Sequence, residues 1–322
     1  GTPNFLGVID VPFGTAFLGG FTGAETHPDQ RDLTQHRTRL SGDVLGNDGP
    51  QFQGRGDNMT RLLSHSSYFN AGPDHQSRVS GFDFSGFGRG PQASARIMGL
   101  SIPLALDSCR FMDNWSESSA LVAANSASLR ETEWIGNRGG LLLVSAFGDM
   151  TVRETLVIGN TSRYSLFSTS GTTEVTLEGL TVAGNRVERT DHSAFYQADR
   201  PSGRSMRVRN CLFWNNAIDG SVREEAHFRP NPLAANGPDI GWSLIEHWTY
   251  GTPSTGVIDQ APRFLDVLGP DGIPYTIDGD FRLDLPSPCI DAGENQAVIE
   301  AGTLRDAQGM NRRVDQPLVI DT

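Results

Sequence analysis

Carboxylate, imidazole and guanidinium groups collect in two irregular segments of this 322-residue chain, at residues 186–204 and 217–239. Two carboxylates about 5 to 9.5 Å apart can hydrolyse a glycosidic bond, whereas a polysaccharide lyase needs acidic calcium ligands beside a basic Arg. Two solvated loops whose charges balance each other would explain the same composition, so both interpretations stay open. The candidate catalytic residues are Asp191, His192, Asp199, Arg200, Glu224, Glu225 and His227.

Oxygen-bearing side chains cluster in two further segments that are rich in glycine. Calcium takes several such oxygens as ligands, so it is the one cofactor that the sequence suggests, although none is required. Neither cluster has the spacing of an EF-hand, and Asp and Asn are also ordinary turn residues. The first cluster is Asp43, Asn47, Asp48, Asp57 and Asn58, and the second is Asp266, Asp271, Asp278 and Asp280.

The composition excludes several classes of function. All 26 basic residues are Arg, and with 38 Asp and Glu the net charge is −12. An acidic chain argues against nucleic-acid binding, and the absence of Lys excludes Schiff-base and P-loop chemistry. The seven His and three Cys lack zinc-site spacing, and three Cys cannot form a disulfide framework.

No apolar run approaches the roughly 20 residues of a membrane-spanning helix. The first ten residues lack the features of a signal peptide, so we expect a mature chain or part of a longer one.

A repeat organises the middle of the chain. Five segments share an aliphatic residue, a small or apolar residue three positions later, a large apolar residue two positions after that, and an Asn three further on. They end at Asn114, Asn137, Asn160, Asn185 and Asn216, in steps of 23, 23, 25 and 31 residues. Fixed periods of this length are typical of proteins built from stacked units.

The residues within each repeat favour strands. Apolar and polar positions alternate over short stretches rich in Val, Leu, Thr and Phe, which predicts about three short strands per repeat. Gly81, Gly179 and Asn210 lie at a predicted tight bend, where a residue that tolerates positive φ is needed. A unit of this size cannot bury its own apolar face, so the repeats must stack as a parallel β-solenoid.

Stacking predicts which side chains line up from repeat to repeat. One inward column comprises Cys109, Thr132, Thr155, Leu180 and Cys211, and a second comprises Phe111, Trp134, Val157, Val182 and Phe213. The five Asn form a third column, which either binds a ligand or, as the favoured alternative, tolerates left-handed turns and hydrogen-bonds the next repeat. An outward column of mixed sign, typical of a solvated face, comprises Asp107, Arg130, Arg153, Glu178 and Arg209.

Three separated motifs carry a resemblance to a known family. Val208-Arg-Asn-Cys-Leu-Phe-Trp-Asn-Asn216 is similar to a repeat of the right-handed parallel β-helix proteins of bacterial cell surfaces, akin to polymorphic outer-membrane and adhesin-like proteins. Phe17-Leu-Gly-Gly-Phe-Thr-Gly-Ala-Glu25 resembles their opening stretch. Asp280-Phe-Arg-Leu-Asp-Leu-Pro-Ser-Pro-Cys-Ile-Asp-Ala-Gly293 resembles the closing segment of their "choice-of-anchor Q" group.

The resemblance implies an all-β fold, a right-handed single-stranded parallel β-helix with irregular capping segments at both ends. We expect one continuous domain, with an N-terminal cap and first repeats in residues 1–77, regular repeats in 78–250 and a closing segment in 251–322. The implied location is secreted, periplasmic or cell-surface.

The implied role is structural, adhesive or in assembly, through binding of protein subunits or surface glycans. One alternative is a polysaccharide lyase or glycoside hydrolase of the pectate-lyase-like superfamily, because that superfamily shares the shape. A further alternative is an accessory subunit of a larger complex. We expect no nucleic-acid partner and no membrane-spanning segment.

Overall fold

The structure is a computed structural model that describes residues 8–65, 75–89, 95–140, 142–170, 174–197, 206–223, 226–228, 238–248 and 255–301. The described chain is an all-β fold with several long parallel sheets, as the alternating apolar pattern predicts. A single short α-helix in the described part, α1 (Asn295–Ala301), follows the strands.

Three of the sheets hold seven or eight strands each. Sheet I contains β1 (Ile9–Asp10), β4 (Leu63–His65), β7 (Met98–Leu100), β11 (Val122–Ala124), β15 (Leu142–Ala146), β19 (Ser165–Thr169) and β23 (Phe195–Gln197). Sheet II contains β2 (Ala16–Leu18), β5 (Ser77–Ser80), β8 (Leu104–Asp107), β12 (Ala127–Arg130), β16 (Met150–Arg153), β20 (Val175–Glu178), β24 (Met206–Arg209) and β28 (Asp239–Gly241). Sheet III contains β3 (Thr38–Ser41), β6 (Phe82–Ser85), β9 (Arg110–Met112), β13 (Glu133–Ile135), β17 (Leu156–Ile158), β21 (Thr181–Ala183), β25 (Leu212–Trp214) and β29 (Leu244–Ile245).

The remaining strands form two smaller sheets. Sheet IV contains β10 (Trp115–Ser116), β14 (Arg138–Gly139), β18 (Thr161–Ser162), β22 (Arg186–Val187), β26 (Ala217–Ile218) and β27 (Ser221–Val222), of which the last two pair antiparallel. An antiparallel pair, β30 (Phe264–Asp266) and β31 (Asp280–Leu283), lies in the C-terminal segment. Three short 3-10 helices span Pro28–Gln30, Pro50–Phe52 and Arg55–Asp57.

Each regular repeat contributes one strand to sheets I, II, III and IV in turn, and each strand pairs in parallel with its counterpart one repeat later. Leu129 lies between Leu106 and Val152 in sheet II, and Trp134 lies next to Phe111 in sheet III. The prediction of about three strands per repeat missed the two-residue strand of sheet IV, which begins directly after each Asn. Two residues are too few to show an alternating pattern.

The two predicted inward columns are confirmed, because all ten residues are buried. The ring of Trp134 stacks on Phe111 with centroids 4.0 Å apart and an angle of 5° between the planes. The Trp134 indole Nε1 donates to the Thr132 hydroxyl at 3.1 Å, and that hydroxyl lies 3.1 Å from the Thr155 hydroxyl. The Trp134 indole and the Thr132 and Thr155 hydroxyls are therefore hydrogen-bonded within the core.

Left-handed residues turn the chain between sheets II and III. Gly81, Gly179 and Asn210 have φ of 80°, 65° and 53°, which confirms the predicted bend. Glu131 and Glu154 adopt the same conformation in other repeats, with φ of 52° and 49°. The N–H of Glu154 donates to the carbonyl of Glu178 at 3.0 Å, so the bend itself joins the next repeat.

A second left-handed bend lies one residue before each Asn of the repeat. It is occupied by Asp113, Gly136, Gly159, Gly184 and Asn215. The five Asn of the column have no positive φ, so the prediction that they themselves adopt left-handed geometry was wrong. The preceding residue takes the turn because the Asn side chain must point into the core.

The C-terminal segment covers part of the outer face of sheet III. Phe264, Tyr275 and Phe281 pack against an apolar cluster of Ile135, Ile158 and Ala183. Tyr275 lies so close to the bends of two repeats that a Cβ atom on Gly159 or Gly184 would collide with it. The outer face of β13, β17 and β21 is therefore packed against the C-terminal segment.

Candidate functional site

Of the seven candidate catalytic residues, the structure describes Asp191, His192 and His227, while Asp199, Arg200, Glu224 and Glu225 lie outside the described residues. Asp191 is exposed and accepts hydrogen bonds from Arg189 Nε at 2.8 Å and Arg189 Nη2 at 2.6 Å. These bonds, and a further one with His192, hold the pKa of Asp191 well below its usual range. A carboxylate that stays ionised in this way cannot serve as a general acid.

His227 is fully buried, in contrast to the surface pair of Asp191 and His192. Its Nδ1 lies 3.3 Å from the amide Nδ2 of Asn216, and its Nε2 lies 3.2 Å from the carbonyl oxygen of Glu246. The amide nitrogen can only donate, so we assign Nδ1 as the acceptor and Nε2–H as the donor to Glu246. Burial lowers the pKa of His227 to about 4, which keeps the ring neutral. The described candidates therefore do not line one open site.

The Asn column forms a buried hydrogen-bonded ladder. Asn137 shows the pattern: its backbone N–H and its amide Nδ2 each donate to Asn160 Oδ1 at 2.9 Å. The same Nδ2 also donates to the carbonyl of Phe111 at 2.7 Å. Asn114, Asn160 and Asn185 repeat these contacts. Because the amide groups bond one another and the backbone, the ladder joins repeats and leaves no face for a ligand.

The first predicted calcium cluster does come together in one loop. The carboxylate of Asp43 accepts the backbone N–H groups of residues 46, 47 and 48 at 2.8, 3.2 and 3.1 Å. Asp57 accepts the N–H of Leu45 at 2.9 Å. With its amide nitrogen turned toward both carboxylates, Asn47 lies 3.1 Å from Asp57 Oδ1 and 3.3 Å from Asp43 Oδ1. The carboxylate oxygens of Asp43 and Asp57 are thus occupied by N–H groups of the loop itself.

Asp48 forms the inner edge of the same loop. Its Oδ2 accepts the amide of Asn58 at 2.9 Å and lies 3.5 Å from Nε of Arg55, a buried guanidinium. Burial raises the pKa of Asp48, and Arg55 opposes that shift. A cation is therefore already present beside this carboxylate, and calcium stays a prediction for the loop.

The second predicted cluster consists of carboxylates that bond locally. Asp266 accepts the N–H groups of Leu268 and Gly269, and Asp271 accepts that of Ile273. Asp280 pairs with Arg282. In the described part of the chain, no three His, Cys, Asp or Glu side chains form a group that could hold a metal ion.

The outer face of sheet II is the strongest candidate for a binding surface. Its inward residues are apolar and buried, so the alternate residues point outward. One outward column carries the hydroxyls of Ser128, Thr151 and Thr176, and the column beside it carries Arg130 and Arg153. We call this surface the arginine face: Arg78, Ser128, Arg130, Thr151, Arg153, Thr176, Arg207 and Arg209.

Charge distinguishes the arginine face from the rest of the molecule. The strands of sheet II carry five Arg and only three carboxylates, whereas the whole chain has a net charge of −12. The carboxylates are Asp107, Glu178 and Asp239. The mixed-sign column that the sequence predicts does project outward here. Glu131 pairs with Arg130 and Glu294 with Arg209, so the face is less acidic than the chain as a whole but not positive overall.

The other sheets offer weaker surfaces. The C-terminal segment covers part of sheet III. Sheet I presents the small residues Gly99, Ala123, Ser145 and Ser168 at its outward positions. Sheet IV is two residues wide and alternates single charges with neutral residues.

A pocket opens where the arginine face meets α1. Its volume is about 200 Å³. It is lined by Arg153, Thr176, Leu177, Glu178, Arg207, Arg209 and Ala297. The alternating pattern could have identified Arg207, which lies two residues before Arg209 on the same strand. No local signal points to Ala297, because it comes from a distant helix.

No helix among the described residues is long and apolar enough to cross a membrane. Comparison of the chain with protein families, with curated proteins and with solved structures finds no match. Any functional conclusion therefore depends on the arrangement of the chain's own residues.

Proposed function

We propose that the chain is a right-handed parallel β-helix that acts at the cell surface or outside the cell as an adhesive protein, binding an acidic glycan along its arginine face. The regular parallel pairing of each repeat with the next supports the coiled architecture. One observation carries the binding role: a column of three hydroxyls and a column that holds Arg130 and Arg153 lie side by side, in register, on an open sheet face.

The spacing of these groups suits a polymeric ligand. Neighbouring strands lie about 4.8 Å apart. At that interval the hydroxyl column offers Ser128, Thr151 and Thr176, and the column beside it offers Arg130 and Arg153. Hydroxyl groups can exchange hydrogen bonds with sugar hydroxyls, and guanidinium groups pair with carboxylates or sulfates. A glycan chain lying across the strands would meet the same pair of groups on two successive repeats, Ser128 with Arg130 and Thr151 with Arg153.

A protein partner fits this face less well. Protein interfaces are enriched in aromatic residues and Met at their centres, where they exclude water. The arginine face has no aromatic or large aliphatic side chain among its outward residues between β8 and β24. Its open groups are polar or charged, which favours a hydrated polar ligand.

Polysaccharide binding by the whole chain tests the proposal. We expect the protein to bind immobilised polygalacturonate and heparin but not dextran, with binding that weakens as salt rises because the contacts are ionic. The double variant Arg130→Gln with Arg153→Gln should reduce binding. The matched control, Arg138→Gln with Arg186→Gln, removes the same charge from sheet IV and should leave binding unchanged.

Three results would overturn the proposal. If no polysaccharide binds, or if the sheet IV control weakens binding equally, the arginine face is not a glycan site. New unsaturated or reducing ends on a bound polysaccharide would establish a lyase or hydrolase instead. The experiment therefore separates a binding role from the enzymatic alternatives.

A further inference from the structure

We propose that the C-terminal end of the outer face of sheet III binds the ammonium group of an amino sugar. The residues of this site, which we call the carboxylate cluster, are Trp214, Asn215, Glu246, Asp259 and Tyr275. The cluster lies on a different sheet from the arginine face and attracts the opposite charge. It therefore goes beyond the proposed function and does not rest on it.

Trp214 and Glu246 are neighbours on the outer face of sheet III. Ala183 pairs in register with Trp214. Phe213 pairs with Ile245, so Glu246 follows Trp214 in the outward column. The N–H of Glu246 donates to the carbonyl of Phe213 at 3.1 Å, which continues the pairing one residue beyond β29. An indole and a carboxylate are therefore carried by adjacent strands, whose backbones lie about 4.8 Å apart.

Glu246 is fixed in place but keeps one carboxylate oxygen free. The residue is only 9 % exposed, and its Oε2 accepts the backbone N–H of Asn215 at 2.5 Å. Among the described residues nothing donates to its other oxygen, Oε1, and that atom is not sealed from solvent. A carboxylate that is nine-tenths buried and has one open oxygen favours a charged donor as its ligand.

Asp259 adds a second carboxylate beside the first. The segment that contains it runs along β29, where the N–H of Ile245 donates to the carbonyl of Ile258 at 3.0 Å. The Oδ1 of Asp259 accepts the N–H of His247, the residue after Glu246, at 3.0 Å. Burial raises the pKa of Glu246, and the charge of Asp259 adds to that rise. The two carboxylates are therefore close enough to repel each other.

These two carboxylates lack the arginine partner that other outward carboxylates have. Glu133, on the same face of sheet III, pairs with Arg110 at 3.0 Å. In the described part of the chain no Arg forms an ion pair with Glu246 or Asp259. The basic group that acts on Glu246 is the imidazole of His247. A bound cation would separate the like charges and offset the burial of Glu246.

Aromatic and neutral groups complete the cluster. Trp214 is partly exposed, and an indole ring attracts a cation more strongly than other aromatic rings do. Burial raises the pKa of the Tyr275 hydroxyl, the side chain of Asn215 opposes this shift and the charge of Glu246 adds to it. The hydroxyl thus lies among these groups. An amide and a hydroxyl can exchange hydrogen bonds with sugar hydroxyls, so the cluster fits a ligand that carries an ammonium group beside hydroxyls.

A metal ion fits the cluster less well. Calcium takes about six to eight oxygen ligands, and no group of three His, Cys, Asp or Glu suited to a metal occurs among the described residues. Trp214 offers no ligand to calcium, whereas its ring suits an organic cation.

Titration of the whole chain with glucosamine hydrochloride tests the site, with N-acetylglucosamine, ethylamine and calcium chloride as comparison ligands. We expect saturable binding of glucosamine and none of N-acetylglucosamine, which has the same ring without the charge. Glu246→Gln and Asp259→Asn should each weaken glucosamine binding at least about tenfold. The matched control is Glu133→Gln, which removes a carboxylate that already pairs with Arg110, and it should bind as the wild type does.

Several outcomes would overturn the site. They are binding of N-acetylglucosamine as tight as that of glucosamine, equal weakening in Glu133→Gln, and wild-type affinity in both Glu246→Gln and Asp259→Asn. Binding of ethylamine at least as tight as that of glucosamine would refute a sugar ligand. Calcium binding that is lost in Glu246→Gln would assign the carboxylates to a metal. Asp259 is exposed, so its variant tests the site even if Glu246→Gln fails to fold.

The same measurements separate this site from the proposed function. Glucosamine binding that depends on Asp259, with no binding of any polysaccharide, would uphold the carboxylate cluster and refute the adhesive function. Polysaccharide binding that depends on Arg130 and Arg153, with no binding of glucosamine, would do the reverse.

Discussion

Asn216 and His227 meet at the end of the buried asparagine ladder, with the amide Nδ2 of Asn216 3.3 Å from the imidazole Nδ1 of His227. The imidazole takes the place that the next asparagine would occupy in a further repeat. Its Nε2 then contacts the carbonyl of Glu246 in the following strand region. The Asn216 amide already donates to the carbonyl of Val182 at 2.8 Å, so the imidazole satisfies its second N–H and closes the column.

Because the imidazole that closes the ladder is buried, the free energy of unfolding should depend on pH. His227 has a pKa of about 4 in the folded chain, below its ordinary 6.5, because burial disfavours the charged ring. The unfolded chain therefore binds more protons between these values, and the free energy of unfolding should fall as pH drops from about 6.5 to 4, by on the order of 3 kcal/mol. Urea unfolding across this range measures the slope. The slope should shrink in His227→Gln and persist in His36→Gln, an exposed control; an unchanged slope in His227→Gln would refute the assignment.

Removing one amide from the middle of the ladder should be costly. Asn160→Ala deletes the acceptor for the N–H and amide of Asn137 and the donor to the carbonyl of Trp134. Unsatisfied buried groups cost about 1 to 3 kcal/mol each, so we expect a loss of roughly 3 kcal/mol or more. Chemical denaturation checks this, with Asn295→Ala on the surface changing stability by less than about 0.5 kcal/mol. A small loss at Asn160 would mean that the ladder does not join the repeats.

Substitutions at two glycines allow the cost of a strained backbone conformation to be measured apart from the cost of a steric collision. Gly184 and Gly220 both have positive φ, 65° and 76°, but a Cβ on Gly184 would collide with Tyr275 whereas a Cβ on Gly220 meets nothing within 4 Å. Gly220→Ala should cost about 1 kcal/mol from conformation alone. Gly184→Ala should cost at least about 2 kcal/mol more, because it also displaces Tyr275. Equal losses in thermal unfolding would show that the C-terminal segment does not pack on sheet III.

The aromatic stack of the core gives a test of strand register. Trp134 is fully buried against Phe111, so Trp134→Asp places an unpaired charge in the core and should prevent folding. Trp134→Phe keeps a stacked ring and should remain folded with reduced stability. Circular dichroism and denaturation distinguish the two variants. A Trp134→Asp protein with wild-type stability would mean that the register is wrong.

Calcium removal tests the loop around Asp43. Its carboxylate oxygens already accept backbone N–H groups, and Arg55 lies beside Asp48, so EDTA should shift the melting temperature by less than about 1 °C. A rise of several degrees on adding calcium, abolished by Asp43→Asn and not by Asp271→Asn, would establish the calcium site that the sequence predicts.

The amino-acid pattern alone was enough for the repeat, for the three longer strands of each repeat and for the direction of their side chains, but not for the two-residue strand of sheet IV. The inward columns through Trp134 and Thr132 and the outward column through Arg153 follow from a period of two within strands and a fixed step between repeats. These regularities are local, and the same pattern recurs in every repeat. The left-handed bends at Gly81 and Gly179 follow as well, because residue type constrains φ.

Contacts between distant parts of the chain were decided by the tertiary structure. Asn210 and Glu294 are 84 residues apart, yet their hydrogen bonds bring α1 to sheet II and create the pocket. Tyr275 reaches the bend at Gly184 in the same way, and His227 enters the core instead of joining Asp191 at the surface. No local period encodes such contacts, since they depend on which buried groups lack a partner and which exposed faces lack a cover once the repeats have stacked.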